Sequence, residues 1–368
     1  MITKFSVSNF KSFNEEFTLN LSDTNGYNFN NESVKNGVVN NAIVYGKNGV
    51  GKSNLGLAMF DIISHLTDNE TRERLYTNYL NANNESKEAK FKYEFIFNSK
   101  KIIYEYRKTN SEEIIFEKFL IDGEVLAYVN KTENEVIVKF KGAENLKTDL
   151  PKNLSLLKYI KNNTILEDNS NNIAFQNFFD FVEKMLFFRS LEDRTYIGLE
   201  VGAKSVTQDI IEKNNVSDLE EFLNIAGIKC NLTIIKESEK EVIAFDFGDK
   251  QIELFRIASQ GTKALVLFYF WLQRIREDSK VSFLFIDEFD AFYHHKLSAL
   301  VVKKLKETGV QLILTTHNTS IMTNDLLRPD CYFIMNDKEI KSFSKSNQKE
   351  LREAHNIEKM YKAGLFNV

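Results

Sequence analysis

Eight residues, Gly46-Lys47-Asn48-Gly49-Val50-Gly51-Lys52-Ser53, restrict what this chain can become more than any other stretch. They follow the apolar run Asn41-Ala42-Ile43-Val44-Tyr45 and precede a helix-like segment from Asn54 to Ser64. The pattern is G-x-x-x-x-G-K-[ST] in strand–loop–helix context, which belongs in an α/β fold. The glycines Gly46, Gly49 and Gly51 let successive backbone N–H groups, that of Asn48 included, curl around phosphate oxygens. The helix opening at the loop adds its positive dipole end and its unpaired N–H groups, with Asn54 in its first turn. Lys52 is expected on the β- and γ-phosphates and the Ser53 hydroxyl on Mg²⁺. The sequence predicts a binder of nucleoside triphosphate, with Mg²⁺ as cofactor.

A chain of 368 residues has room for one large α/β domain or two lobes. The net charge of −4 gives no global positive field of the kind that draws nucleic acid, so DNA binding gains no support from composition. Cys230 and Cys331 are too few for a disulfide framework and suggest a reducing cytosol. The start, Met1-Ile2-Thr3-Lys4-Phe5, lacks the apolar core of a signal peptide. The longest apolar run, Ala264 to Leu272, falls far short of a membrane span. The expectation is a cytoplasmic protein with no membrane association.

Residues 2–7 and 17–21 alternate apolar and polar side chains as half-buried strands do, with an aromatic turn, Asn9-Phe10-Lys11-Ser12-Phe13, between them. Residues 22–41 read as a surface loop, and residues 67–89 as a second loop with a short helix. Antiparallel strands are predicted at 90–97, 101–107 and 114–121, extended by 125–129 and 135–140. From about Pro151 the spacing turns helical, at 154–163, 173–188 and 217–226. Small strands at 232–235, 241–247 and 251–255 follow, then an apolar helix over 261–276. Three regions result: 1–150 with the P-loop and antiparallel strands, 151–278 as a helical lobe, and 279–368 returning to the first lobe. The final polar and aromatic segment is expected to pack on the sheet rather than extend as a docking arm.

Val281-Ser282-Phe283-Leu284-Phe285-Ile286 is a buried-strand run ending in Asp287-Glu288. Paired with the P-loop it reads as a Walker B, with Asp287 delivered to Mg²⁺ and Glu288 placed to polarise an attacking water. Upstream, Ala258-Ser259-Gln260-Gly261-Thr262-Lys263 is a small-residue turn at a helix N-terminus; read alone it is an ordinary N-cap before a core helix. Downstream, Leu312-Ile313-Leu314-Thr315-Thr316 is a second buried strand ending in His317-Asn318. The pair His294-His295 is a poor metal site, because neighbouring side chains diverge.

The order of P-loop, small-residue turn, Walker B and histidine resembles the ABC-type ATPases, and within them the soluble heads related to SMC and RecF proteins. It is most similar to standalone bacterial ATP-binding proteins of the AAA-labelled, OLD-related kind found in phage-defence and restriction-linked operons. The residues that carry the likeness are the N-terminal Phe5-Ser6-Val7-Ser8-Asn9-Phe10-Lys11-Ser12-Phe13, Ser259-Gln260-Gly261-Thr262-Lys263, Asp287-Glu288-Phe289-Asp290, Thr315-Thr316-His317-Asn318, Leu327-Arg328-Pro329-Asp330 and Arg352-Glu353-Ala354-His355-Asn356. The resemblance implies an ABC-type head with a mixed-sheet lobe and a helical lobe. It places Lys11 and Ser12 at the nucleotide, Ser259, Gly261 and Thr262 as the signature that meets the γ-phosphate held by a second subunit, Asp290 as the dimer-communicating aspartate and His317 as the switch histidine. Neither Gln176 nor Gln208 is well placed for the glutamine such ATPases carry ahead of the signature.

The resemblance further implies a homodimer closed across ATP. Only 51 residues follow His317, too few for the Toprim nuclease domain of OLD proteins. A separate effector, a nuclease or toxin, is therefore expected, controlled by this chain in antiviral defence. The alternative is a RecF- or SMC-like repair or maintenance ATPase that binds DNA directly. A transporter ATPase fits less well, because the turn 9–13 and the antiparallel strands lie on the SMC side.

Overall fold

The computed structural model describes residues 1–69, 73–146, 149–189, 196–198, 205–237, 240–276, 281–291, 295–346 and 351–366. β1 (Ile2–Ser8) and β2 (Phe17–Asn20) pair around the aromatic turn, and the two-residue strands β3 (Val34–Lys35) and β4 (Val38–Val39) follow. β5 (Asn41–Gly46) leads through the glycine loop into α1 (Lys52–Phe60) and the short α2 (Ile63–Leu66). A meander comes next: β6 (Ala89–Phe97), β7 (Lys100–Lys108), β8 (Ile114–Ile121), β9 (Glu124–Asn130) and β10 (Glu135–Val138). Then come α3 (Leu156–Asn163), α4 (Ser170–Glu183), β11 (Met185–Arg189) and β12 (Tyr196–Gly198). α5 (Val206–Glu212), α6 (Val216–Ile225), β13 (Leu232–Glu237), β14 (Lys240–Asp246), β15 (Gln251–Glu253), α7 (Leu254–Ile257) and α8 (Gln260–Arg276) continue the chain. It closes with β16 (Phe283–Asp287), α9 (His295–Glu307), β17 (Gln311–Thr316), β18 (Tyr332–Met335), β19 (Ile340–Ser342) and α10 (Ile357–Lys362). Among the described residues no helix is long and apolar enough to cross a membrane.

The chain forms two compact units: residues 1–199, 282–289 and 310–368 in the first, 200–281 and 290–309 in the second. The first holds two seven-stranded sheets. One is antiparallel throughout, in the order β10-β9-β8-β7-β6-β1-β2. Its strands alternate as expected for a sheet with one wet face: Phe91, Tyr93 and Phe95 of β6 are buried while Lys90, Lys92 and Glu94 are not. The other sheet has the order β12-β11-β16-β17-β5-β18-β19, with its five central strands parallel. Its strands are apolar runs because both faces are covered; every residue of β16 and β17 is buried.

One expectation is corrected here. The helical spacing read over 173–188 ends at Glu183, and 185–189 is instead β11, next to β16 in the parallel sheet. The run Met185-Leu186-Phe187-Phe188 is apolar on every side, so periodicity alone does not separate buried strand from buried helix. α4 itself begins with the Asn169 side chain accepting from the Asn171 and Asn172 N–H groups. It lays Phe178 against Phe95, Tyr104 and Phe119 of the antiparallel sheet, at centroid separations of 5.4, 5.6 and 5.1 Å.

The two sheets of this unit are tied by Gln311, which is 3% exposed. Its Oε1 accepts from Ile2 N–H at 2.8 Å, and its Nε2 donates to Ile2 O at 2.7 Å and Val39 O at 3.1 Å. α1 is held by its far end. A helix leaves its last carbonyls unpaired, and here tyrosines serve them: Tyr93 OH donates to Ala58 O at 3.0 Å and Tyr76 OH to Leu57 O at 3.4 Å. Asp61, next along, accepts from Tyr79 OH at 2.9 Å, Tyr106 OH at 3.0 Å and Lys108 Nζ at 3.3 Å.

His65 lies in the same cluster, with Nε2 3.0 Å from Tyr104 OH and its ring against Tyr106. Burial, then the charges of Lys108, Lys131 and Lys158, holds its pKa well below the ordinary histidine value. The folded state therefore refuses a proton that the unfolded chain accepts below about pH 6.5. Stability from this group is present above that pH and falls as acid is added, by up to about 1.4 kcal/mol per pH unit. Urea unfolding at pH 7.5, 6.0 and 5.0 should show a shallower acid loss in His65→Phe than in the parent. Equal slopes would remove His65 from the acid response.

The second unit builds on the antiparallel sheet β13-β14-β15 with helices α5 to α9. The Arg274 guanidinium clamps Asp209 through bonds of 2.6 and 3.0 Å and stacks on Phe270 at 3.8 Å.

Candidate functional site

The carboxyl ends of β5, β11, β16 and β17 share one edge of the parallel sheet, because these strands run in the same direction. In open α/β sheets this is the edge at which ligands bind. β5 ends at Gly46, where an added Cβ would lie 2.8 Å from Met335 O, so only glycine fits beside β18. Gly51 is the N-cap of α1 at φ 102°, a left-handed conformation, and an added Cβ would meet Ser12 Oγ at 2.6 Å.

Ser12 belongs to the 9–13 turn, which lies on the loop. Asn54 Nδ2 donates to Ser12 Oγ at 2.9 Å. Lys11 has φ 47° and Asn9 φ 53°, both unusual for non-glycine residues. The surrounding bonds fix them: Lys11 N–H to Tyr79 O at 3.0 Å, Lys11 Nζ to Thr77 O at 2.9 Å, and Asn81 N–H to Asn9 Oδ1 at 3.1 Å. Burial, and next the charge of Arg189, lowers the Lys11 pKa.

Lys52 is 6% exposed. Its three donors go to Gly46 O at 3.0 Å, Lys47 O at 3.2 Å and His317 Nε2 at 2.9 Å. Burial lowers its pKa, opposed by the charges of Glu288 and Asp287. His317 Nε2 is also 3.3 Å from Glu288 Oε1. That nitrogen serves one partner at a time: unprotonated it accepts from Lys52, protonated it donates to Glu288.

Thr315, absent from the predicted site residues, organises both acids. Its Oγ1 donates to Asp287 Oδ1 at 2.7 Å and accepts the Glu288 N–H at 2.7 Å. Glu288 sits at φ 47°, a strained left-handed conformation for a side chain of its size. Arg189, the second residue absent from the prediction, ends β11 in register with Asp287. Gln176 and Gln208 lie exposed on α4 and α5.

Ser53 and Asp287 could hold a divalent cation. Among the described residues neither Ser53 Oγ nor Asp287 Oδ2 carries a hydrogen bond, and a hydroxyl with a carboxylate is the hard oxygen set Mg²⁺ takes. The remaining predicted residues, Ser259, Gly261, Thr262 and Asp290, lie in the second unit. There Ser259 Oγ accepts the Thr262 N–H at 3.1 Å and so caps α8; Asp290 is buried. The side chains of His294 and His295 lie outside the described residues. Among the described residues no cluster of histidine, cysteine and acids forms a further metal site.

A glycine loop between a buried strand and a helix, with an Asp-Glu pair at the end of the next-but-one parallel strand, defines a P-loop ATPase. The fold is α/β, with a mixed, mainly parallel sheet and an antiparallel sheet lobe. The chain belongs to the family described as "AAA domain, putative AbiEii toxin, Type IV TA system", matched over residues 42–323.

Among solved structures it is similar to the SMC head domain from Thermotoga maritima, at 16% identity and TM-score 0.44, covering 93% of this chain and 98% of that one. The Pyrococcus furiosus Smc head bound to the C-terminal domain of ScpA gives 14% and 0.46, over 92% and 95%. The Pyrococcus yayanosii Smc head with coiled coil and joint gives 12% and 0.48, over 99% of each chain. No curated protein matches the sequence.

Proposed function

We propose that this chain binds and hydrolyses ATP, closes into a homodimer on it, and acts as the sensing or regulatory subunit of a bacterial anti-phage system that controls a separate nuclease or toxin. The observation that carries the ATPase reading is the meeting of Lys52, His317 and Glu288 beside the Thr315-held Asp287. The glycine loop, with Gly46, Asn48, Gly49 and Gly51, wraps the phosphates, Lys52 gives them its charge, and Asn54, Lys11 and Ser12 line the approach. Ser53 and Asp287 hold Mg²⁺, which supplies charge neutralisation on the phosphates. Glu288 takes the proton of the attacking water while His317 senses the terminal phosphate.

In the dimer, Ser259, Gly261 and Thr262 of a second copy complete the site, and Asp290 carries the signal between copies. The family description supports the defence half of this reading. The assembly is tested by the mass in solution of Glu288→Gln with Mg·ATP: a dimer is expected, and a persistent monomer at high concentration counts against it. Affinity purification of the tagged chain from phage-challenged cells tests the effector. A stoichiometric nuclease or toxin-like protein is expected, and recovery of DNA or repair proteins alone would move the reading to DNA maintenance.

A further inference from the structure

We propose that the segment 351–366 is an autoinhibitory strap, holding the loop after His317 in the arrangement that occupies Lys52 and so opposing phosphate binding. The proposal rests on reading Lys52 as a phosphate ligand.

The strap is fastened to that loop at two points. Asn324, 6% exposed, donates from Nδ2 to Arg352 O, Glu353 O and His355 O at 3.1, 2.9 and 3.2 Å. Thr319, two residues past the histidine, donates to Glu358 Oε1 of α10 at 3.1 Å. A third anchor is aromatic. Phe366 stacks on Phe343 at 4.4 Å, and Tyr361 lies over Phe343 at 6.0 Å and Tyr45 at 6.4 Å. Tyr45 is the residue immediately before Gly46. The strap thus touches the two elements that lead into the glycine loop and out of the switch histidine.

The three protons of the Lys52 ammonium are committed within the protein when His317 Nε2 is an acceptor. A phosphate oxygen must displace one of these partners. Gly46 O and Lys47 O are backbone of the loop itself, whereas His317 is a side chain just past the end of β17, leading into the loop that the strap fastens at Thr319 and Asn324. Each bond that fixes 318–324 therefore favours the Lys52–His317 contact over a Lys52–phosphate contact. Linkage makes the effect reciprocal: loosening the strap tightens nucleotide binding, and nucleotide loosens the strap.

The test uses the full chain with Mg·ATP. Thr319→Val, which keeps the shape and removes the bond to Glu358, and Phe366→Ala should each lower the Kd for Mg·ATP by about five-fold or more. On the parent protein, hydrogen exchange should show amides of 46–53 protected by Mg·ATP and amides of 357–365 exchanging about five-fold faster or more. This second measurement stands even if a variant fails to fold. Protection at 46–53 with unchanged exchange at 357–365, or an unchanged or weaker Kd in both folded variants, overturns the strap and leaves the ATPase reading intact. No protection at 46–53 overturns the nucleotide reading and the strap with it.

Discussion

Glu288→Gln is expected to slow ATP turnover about 10²–10⁴-fold, the range for losing a positioned general base. Mg·ATP affinity should survive, since the phosphates are read by the glycine loop and Lys52 rather than by this carboxylate. The geometry supports a base in this position. The Glu288 N–H is pinned by Thr315, and the backbone bends into the left-handed region to aim the side chain. That bend allows a second, opposite readout. A non-glycine residue there costs about 1–2 kcal/mol, while glycine's extra chain freedom costs about 0.5–1 kcal/mol. Glu288→Gly should therefore be as inactive as the glutamine variant yet unfold at the same denaturant concentration as the parent, or a higher one. Turnover within about ten-fold of the parent in Glu288→Gln would remove Glu288 from the reaction.

Lys108→Met is expected to destabilise the protein by about 3–5 kcal/mol, the cost of leaving one charge of a buried pair alone. Lys108 and Asp61 are both fully buried, 3.3 Å apart, and burial lowers the lysine pKa against the pull of Asp61. Asp61 would keep its two tyrosine donors but lose its counter-charge. Replacing both, as in Asp61→Asn with Lys108→Met, should recover a large part of the loss, because the unpaired charge goes with the pair while the amide oxygen still accepts from the tyrosines. Chemical denaturation of the parent, the single and the double variant decides the matter. A single variant within about 1 kcal/mol of the parent would show that the pair is not a critical fastening.

What could be read in the sequence follows from how local each signal is. The P-loop and the Asp287-Glu288 pair announce themselves through residue types at fixed short spacing, and the antiparallel meander through strict alternation, as in Lys90-Phe91-Lys92-Tyr93-Glu94-Phe95. β11 was hidden because a strand covered on both faces has no period to detect. Thr315 was visible as part of a motif, but its role depends on parallel β16 and β17 setting its hydroxyl against both acids. The tyrosines at the end of α1 come from residues 76, 79, 93 and 106, so only the fold reveals that they serve one helix. Arg189 was masked in the same way, its meaning set by the register with Asp287.

The clasp at Gln311 has a consequence for how the protein is made. Its bond to Ile2 spans 309 positions, and the P-loop strand β5 finds its two neighbours only in β17 and β18. On a ribosome adding roughly 5–20 residues per second, β5 waits on the order of ten to fifty seconds for β17 to emerge. The meander β6 to β10 is built from consecutive hairpins, and the outer edge of β6 takes β1, which is already synthesised, so this sheet closes early. A nascent chain therefore carries a finished antiparallel lobe beside an apolar, edge-exposed strand until β17 has emerged. Any product cut short before β17 therefore has the glycine loop but neither of the strands that flank β5 in the sheet.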